Sequence, residues 1–314
     1  MPGKSGSVEM TATANIQNAF TVDVEDWVQS VLDPNMPLTD NFVKNTHRVL
    51  DLLDRFATKA TFFVLGLAAE KSPVLVREIR QRGHDVQSHG HAHRLIHTQS
   101  RRAFREDVIR SKRFLEDLIG SPVCGYRAPA FSITTQTLWA LDVLVEEGFT
   151  FDSSINPART SRYGVAGAPR FPHKLRTPGG GELIEVPVAS FRAFGKTIPL
   201  GGGGYFRLFP FRMIRATIGQ LNHAGHVATI YCHPYEFNPK EIASIAQKVS
   251  FRVRVHQGLG RVGFAGKMER LLSKWSFGPI REVINSAGSL PVFEHVAANA
   301  NLDRESCCAL SART

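Results

Sequence analysis

ATFFVLGLAAEKSPVLVREIRQRGHDVQSHG, residues 60–90, decides the fold. Ala60 to Leu65 is a continuous apolar run of strand length and reads as a buried strand. Ser72 followed by Pro73 is a helix start: serine supplies an N-cap, and proline at the first helical position loses no hydrogen bond. The helix stops near Gly83, and His84 to Ser88 forms the next short strand. Strand, helix and strand in this order make a βαβ unit, whose strands run parallel.

The alternation extends in both directions. Upstream, Phe20, Val22 and Val24 alternate with Thr21, Asp23 and Glu25, a strand whose polar side carries carboxylates. Asn41 to Phe56 places Val43, Thr46, Leu50 and Leu53 on one helical face. Downstream, Phe104, Val108, Ser111, Leu115 and Leu118 mark a helix closed by Gly120, followed by a strand over Val123 to Arg127. Leu138, Leu141 and Val145 mark a helix before the strand Phe149 to Asp152. A strand over Leu183 to Val188, a helix over Ile214, Ile218 and Leu221, and a strand over Val227 to Cys232 complete the series. Pro157 to Gly181 and Gly201 to Pro210 read as long loops. The fold expected is α/β, of the β/α-barrel kind. Its domain occupies residues 19–240, after a loose segment 1–18 and before a small extension 241–295 and a loose tail 296–314.

Composition narrows the function. In 314 residues, 43% are hydrophobic, which excludes a disordered or fibrous chain. Lysine and arginine (38) exceed aspartate and glutamate (28), for a net charge of +10. The basic residues are scattered, with no zinc-finger spacing, heptad-linked basic helix or RNA-binding motif, so nucleic acid is not the expected partner. Peripheral contact with an anionic membrane or polymer stays open. Cys124 and Cys232 sit in apolar runs and read as small hydrophobes, whereas Cys307 and Cys308 lie in the tail and do not match a prenylation ending. The first twenty residues lack the apolar core of a secretory leader, and Ala60 to Ala69 is too short to cross a bilayer. A cytoplasmic location is expected.

The chemistry-bearing residues fall at or just after strand ends. His89 and His93 are four apart in VQSHGHAHRL, a spacing that puts both imidazoles on one side of a helical turn or of a tight loop that starts helical. Two imidazoles and a carboxylate form a divalent-metal set with a position left for water. DVED, residues 23–26, supplies the carboxylate. The strand period points Asp23 and Glu25 the same way, and Asp26 reaches a metal once the strand has turned, so Glu25 and Asp26 both remain candidates. Arg127 in YRAPAF is placed to orient an acid, Asp152 ends its strand, and His233 ends a strongly apolar one. No nucleophile elbow or phosphate loop is present in the sequence.

TVDVED, SHGHAH, YRAPAF, FDSS and YCHPYEF, in this order, resemble the five motifs of the NodB-homology polysaccharide deacetylases, carbohydrate esterase family 4. DVEDW, GGGYFRLFP and HQGLGRVGFAGKMERLL further resemble the type associated with exosortase and exopolysaccharide gene clusters. The resemblance implies a distorted (β/α)7 barrel with a small C-terminal extension, one divalent metal, commonly zinc, and removal of N-acetyl groups from a glycan or lipid-linked saccharide. By position, Asp23 resembles the general base, His89 and His93 the metal histidines, and Arg127 the residue that positions the base. His233 resembles the catalytic acid and Asp152 the residue that tunes it. Val24 stands where the usual first motif has a second aspartate, and Asn156 where a tryptophan usually lines the acyl pocket. Hydrolysis of a small linear or cyclic amide, and an inactive glycan-binding protein, are the alternatives.

Overall fold

The computed structural model describes residues 16–158, 163–244 and 249–294; most of segment 1–18 and the tail 296–314, with Cys307 and Cys308, lie outside the described residues. Twelve strands occur among them: β1 (Asn18–Val24), β2 (Thr61–Val64), β3 (Asp85–Ser88), β4 (Gly125–Tyr126), β5 (Phe151–Asp152), β6 (His173–Arg176), β7 (Glu182–Glu185), β8 (Ser190–Ala193), β9 (Lys196–Pro199), β10 (Thr229–Cys232), β11 (Phe277–Gly278) and β12 (Val292–Phe293). The main sheet runs β10-β1-β2-β3-β4-β5-β7-β6-β12, with β11 added alongside β1. From β10 to β7 the seven strands are all parallel, and β6 then pairs antiparallel to β7. This mixed sheet, enclosed by helices, is the distorted (β/α) barrel expected.

Among the described residues eleven α-helices accompany it: α1 (Asn41–Arg55), α2 (Gly66–Lys71), α3 (Pro73–Gln81), α4 (Arg101–Ile119), α5 (Trp139–Glu146), α6 (Gly203–Leu208), α7 (Phe211–His223), α8 (Glu241–Ser244), α9 (Phe251–Gly258), α10 (Phe264–Leu272) and α11 (Ile280–Ser286). Sequence chemistry accounts for their limits. Ser100 caps α4 by accepting from the Ala103 N–H, and Gly120 ends that helix at φ +64°, a conformation suited to glycine. All seven residues of β1 are buried, as a parallel strand covered on both faces requires.

Three segments differ from the sequence reading. Pro157 to Gly181 is not wholly a loop, since β6 lies inside it and pairs with β7. The glycine run contains α6, and its glycines permit close packing on β10: a Cβ on Gly202 would stand 2.3 Å from Tyr231. Beyond residue 240 the chain returns to the sheet, with β11 on β1 and β12 on β6. Two-residue strands and short helices leave too brief a periodicity to recognise. Among the described residues no helix is long and apolar enough to cross a membrane.

Candidate metal centre and catalytic site

Strand register assembles the site. Val24 pairs with Val64, Val64 with Ser88, Ser88 with Tyr126, Tyr126 with Asp152, and Val22 with Cys232. Glu25, His89, Arg127, Ser153 and His233 are each the next residue beyond β1, β3, β4, β5 and β10. A parallel sheet brings such positions to the same edge, where the backbone leaves the ladder and side chains are free to converge.

Glu25, His89 and His93 do converge: one ligand atom from each lies within 4.8 Å of the others, and all three are buried. Glu25 Oε2 is 2.7 Å from His93 Nε2 and 3.5 Å from His89 Nε2. His89 Nδ1 is 2.8 Å from the Arg127 carbonyl. A carbonyl only accepts, so Nδ1 carries a proton, and Nε2 is the nitrogen that faces Glu25 and would turn its lone pair to a cation. This is the donor set and tautomer that a divalent cation takes. Burial opposes charge on Glu25, yet His93 and His233, with hydrogen bonds from His89 and His93, hold its carboxyl well below the ordinary value.

The loop carrying the two histidines is not helical. It leaves β3 directly, and His93 sits at φ +55°, a conformation rarely adopted by a residue with a Cβ. Tertiary contacts hold it there. Asp107 accepts from the His91 N–H at 2.7 Å and the Ala92 N–H at 3.3 Å, and Gln29 donates to the Ala92 carbonyl at 3.1 Å. The four-residue spacing therefore works through a clamped loop rather than a helical turn.

Asp23 Oδ1 accepts from Arg127 Nη1 at 2.7 Å. Arg127 is fully buried, donates also to Thr21 Oγ1, Ser153 Oγ and the Ser153 carbonyl, and stacks at 4.3 Å on the Phe63 ring. A guanidinium held by four hydrogen bonds is rigid, and so is the carboxylate it holds.

His233 Nε2 lies 3.5 Å from Glu25 Oε1, its ring stacked on Tyr235 at 4.8 Å. The acid at its other nitrogen is Glu236, whose Oε2 accepts from the His233 N–H at 3.0 Å and stands 3.2 Å from Nδ1. Arg207 of α6 pairs with the second oxygen of Glu236 at 3.0 Å. Burial works against the imidazolium, but Glu25 and then Glu236 raise the His233 pKa to about 9. Glu236 and Arg207 are absent from the residues inferred from sequence. His-x-x-Glu at a strand end has capping-box spacing, and that signal identifies Glu236; Arg207 has no local signal.

Two inferred residues face other partners. Asp26 accepts from the Val28, Gln29 and Thr39 N–H groups and from the Thr39 hydroxyl, capping the turn after β1, and burial raises its pKa. Asp152 accepts from the Ser154 hydroxyl at 2.5 Å and hydrogen-bonds Glu185. Glu185 in turn accepts from the Ile155 N–H at 3.0 Å. Burial raises both carboxyls, and proximity to Asp152 pushes Glu185 well above its ordinary value.

Comparison with known proteins finds two family matches and several relatives. The polysaccharide deacetylase family matches residues 35–146, and a domain of unknown function, DUF3473, matches residues 153–285. A peptidoglycan-N-acetylglucosamine deacetylase of Bacillus cereus is 31% identical over 84 residues, 27% of this chain and 39% of that protein. The chain thus spans about two fifths of that relative's length. A putative polysaccharide deacetylase structure from Mycobacterium smegmatis superposes with a TM-score of 0.61 at 19% identity, covering 93% of this chain and 97% of the other. An allantoinase structure shares the fold at a TM-score of 0.57 and 16% identity, covering 87% of this chain and 90% of its own.

Proposed function

We propose that this chain, whose residues 35–146 match the polysaccharide deacetylase family, is a NodB-homology deacetylase of carbohydrate esterase family 4 that removes N-acetyl groups from sugar units of a glycan or of its lipid-linked precursor. The observation that carries the reading is the meeting of Glu25, His89 and His93 beside the Arg127-held carboxylate of Asp23. These three residues would hold a divalent cation, and the imidazole-rich donor set favours zinc. When bound, such a cation supplies Lewis acidity toward an amide carbonyl and makes water a stronger acid.

The protein's own groups complete the chemistry. Asp23, fixed by Arg127, takes the proton from the attacking water. His233 donates a proton to the departing nitrogen, which is a poor leaving group until protonated. Glu236 holds the His233 ring from the side opposite Glu25. With the charge of Glu25 committed to a cation, Glu236 is the acid left to stabilise the imidazolium. We further assign the chain to the type associated with exosortase and exopolysaccharide clusters. DVEDW, GGGYFRLFP and HQGLGRVGFAGKMERLL support this, and α6 within the second of these contributes Arg207.

Acetate release from N-acetylglucosamine oligomers and other N-acetylated glycans, with and without a chelator, tests the reading. Chelator-sensitive release supports it. Hydrolysis of small linear or cyclic amides without acetate release from any glycan replaces it with the small-amide reading. Binding of oligomers with neither activity replaces it with the glycan-binding one.

A further inference from the structure

Helices α7 and α10 meet at an open depression of about 620 Å³ lined by Phe211, Arg212, Arg215, Arg270, Ser273 and Lys274. Four of these six residues are cations and none is an acid. Several other surface arginines are matched by carboxylates, as Arg101 and Arg105 are by Glu146, and Arg82 by Asp54. Among the described residues, no carboxylate is within ion-pair distance of Arg212, Arg215, Arg270 or Lys274. Arg212 and Arg215 are three apart on α7, and Arg270 and Lys274 are four apart along α10 and the turn after it. Like charges at these spacings repel, so the cluster gains from an anion placed between the helices.

The cluster is also preorganised. The Arg270 guanidinium lies over the Phe211 ring at 4.1 Å, and its carbonyl accepts from the Ser273 hydroxyl at 3.1 Å. Arginine presents paired N–H donors that match two phosphate oxygens, while lysine adds a compact charge. A water occupies roughly 30 Å³, so the depression admits a group far larger than one phosphate. Apolar side chains are exposed on the chain just before each helix. Leu208, Leu259 and Val262 are 51%, 56% and 87% exposed on the segments leading into α7 and α10. Those segments touch, since a Cβ on Gly260 would stand 2.7 Å from the Arg207 carbonyl.

We infer that the depression between α7 and α10 binds a phosphate-bearing ligand, either a soluble diphosphate or the phosphate of a membrane lipid. The inference rests on the α7–α10 surface and stands whatever amide the site at the strand ends hydrolyses.

The full chain, its Arg212→Gln/Arg270→Gln variant and an Arg101→Gln/Arg105→Gln control of equal charge change are titrated with inorganic pyrophosphate by calorimetry. They are also sedimented with phosphatidylcholine vesicles, with and without phosphatidylglycerol. All four arginines are exposed or half-buried at the surface, so unchanged melting of both variants is expected. Pyrophosphate binding that weakens about tenfold or more in the first variant and holds in the control assigns a soluble diphosphate. Binding to the anionic vesicles alone, with the same dependence on Arg212 and Arg270, assigns a lipid phosphate. Failure of the wild type to bind either probe, or equal weakening in the two variants, overturns the site.

Discussion

Two buried carboxyl clusters share one end of the sheet and differ in their neighbours. Glu25 is surrounded by His89, His93 and His233, and their positive potential holds it ionised against the effect of burial. Asp152 and Glu185, opposite each other in the β5–β7 register, face one another in the interior. Burial raises both, and Glu185, pushed further by Asp152, keeps the proton they share. The same residue types are therefore an imidazole-paired carboxylate in one place and a proton-sharing acid–carboxylate pair in the other. Only the first invites a cation. Carboxylates at strand ends do not by themselves define a metal site; imidazoles within reach of them do.

Asp23→Asn separates chemistry from cation binding at the first cluster. The amide keeps a contact with Arg127 but takes no proton, so turnover is expected to fall about 10²–10⁴-fold while metal content by elemental analysis is unchanged. Glu25→Gln acts on the cation itself. A neutral amide is a weak metal ligand, and metal affinity by competition with a chelator should drop about 100-fold or more, with activity following it. Full metal occupancy in the Glu25→Gln protein would break the contrast between the clusters. Glu236→Gln is expected to lower kcat about 10–100-fold with KM and metal content near wild type, because it loosens His233 without touching the ligands. Loss of metal in that variant would instead make Glu236 part of the cation site.

The barrel was legible because its units are long. Strand β2, the Ser72–Pro73 start and the glycine stop at residue 83 carry their own signals. The site is legible as far as each residue can be placed against a strand end, which gives His89, His93, Asp23 and Arg127, with Glu25 as one of two candidates beside Asp26. Spacing did not reveal which acid belongs to which partner. Asp26 and Glu25 are adjacent, and only the turn after β1, where Asp26 meets three backbone N–H groups, sends them apart. The acid beside His233 followed the same rule: Asp152 lies far off in sequence, while Glu236 lies one short turn away. Arg207 depends on glycine packing between α6 and β10, a tertiary fact with no periodicity behind it.

The smallest expected effect sharpens the comparison most, because it applies the Glu25 substitution to the second cluster. In Glu185→Gln the amide donates to Asp152 where the acid proton did, so the change should cost less than about 1 kcal/mol near pH 5 by denaturant unfolding. Its pH dependence carries the argument. The native Glu185 pKa lies well above the ordinary 4.5 of the unfolded chain, so between the two the folded protein binds the extra proton. The unfolding free energy of the wild type must then fall as pH rises through that window, and the stabilisation is complete only below the unfolded value. The amide has no proton to release, so the decline should flatten in the variant, which becomes the relatively more stable protein at high pH. Parallel pH profiles would mean that Glu185 is ionised like Glu25, and that imidazoles are not what distinguishes the two clusters.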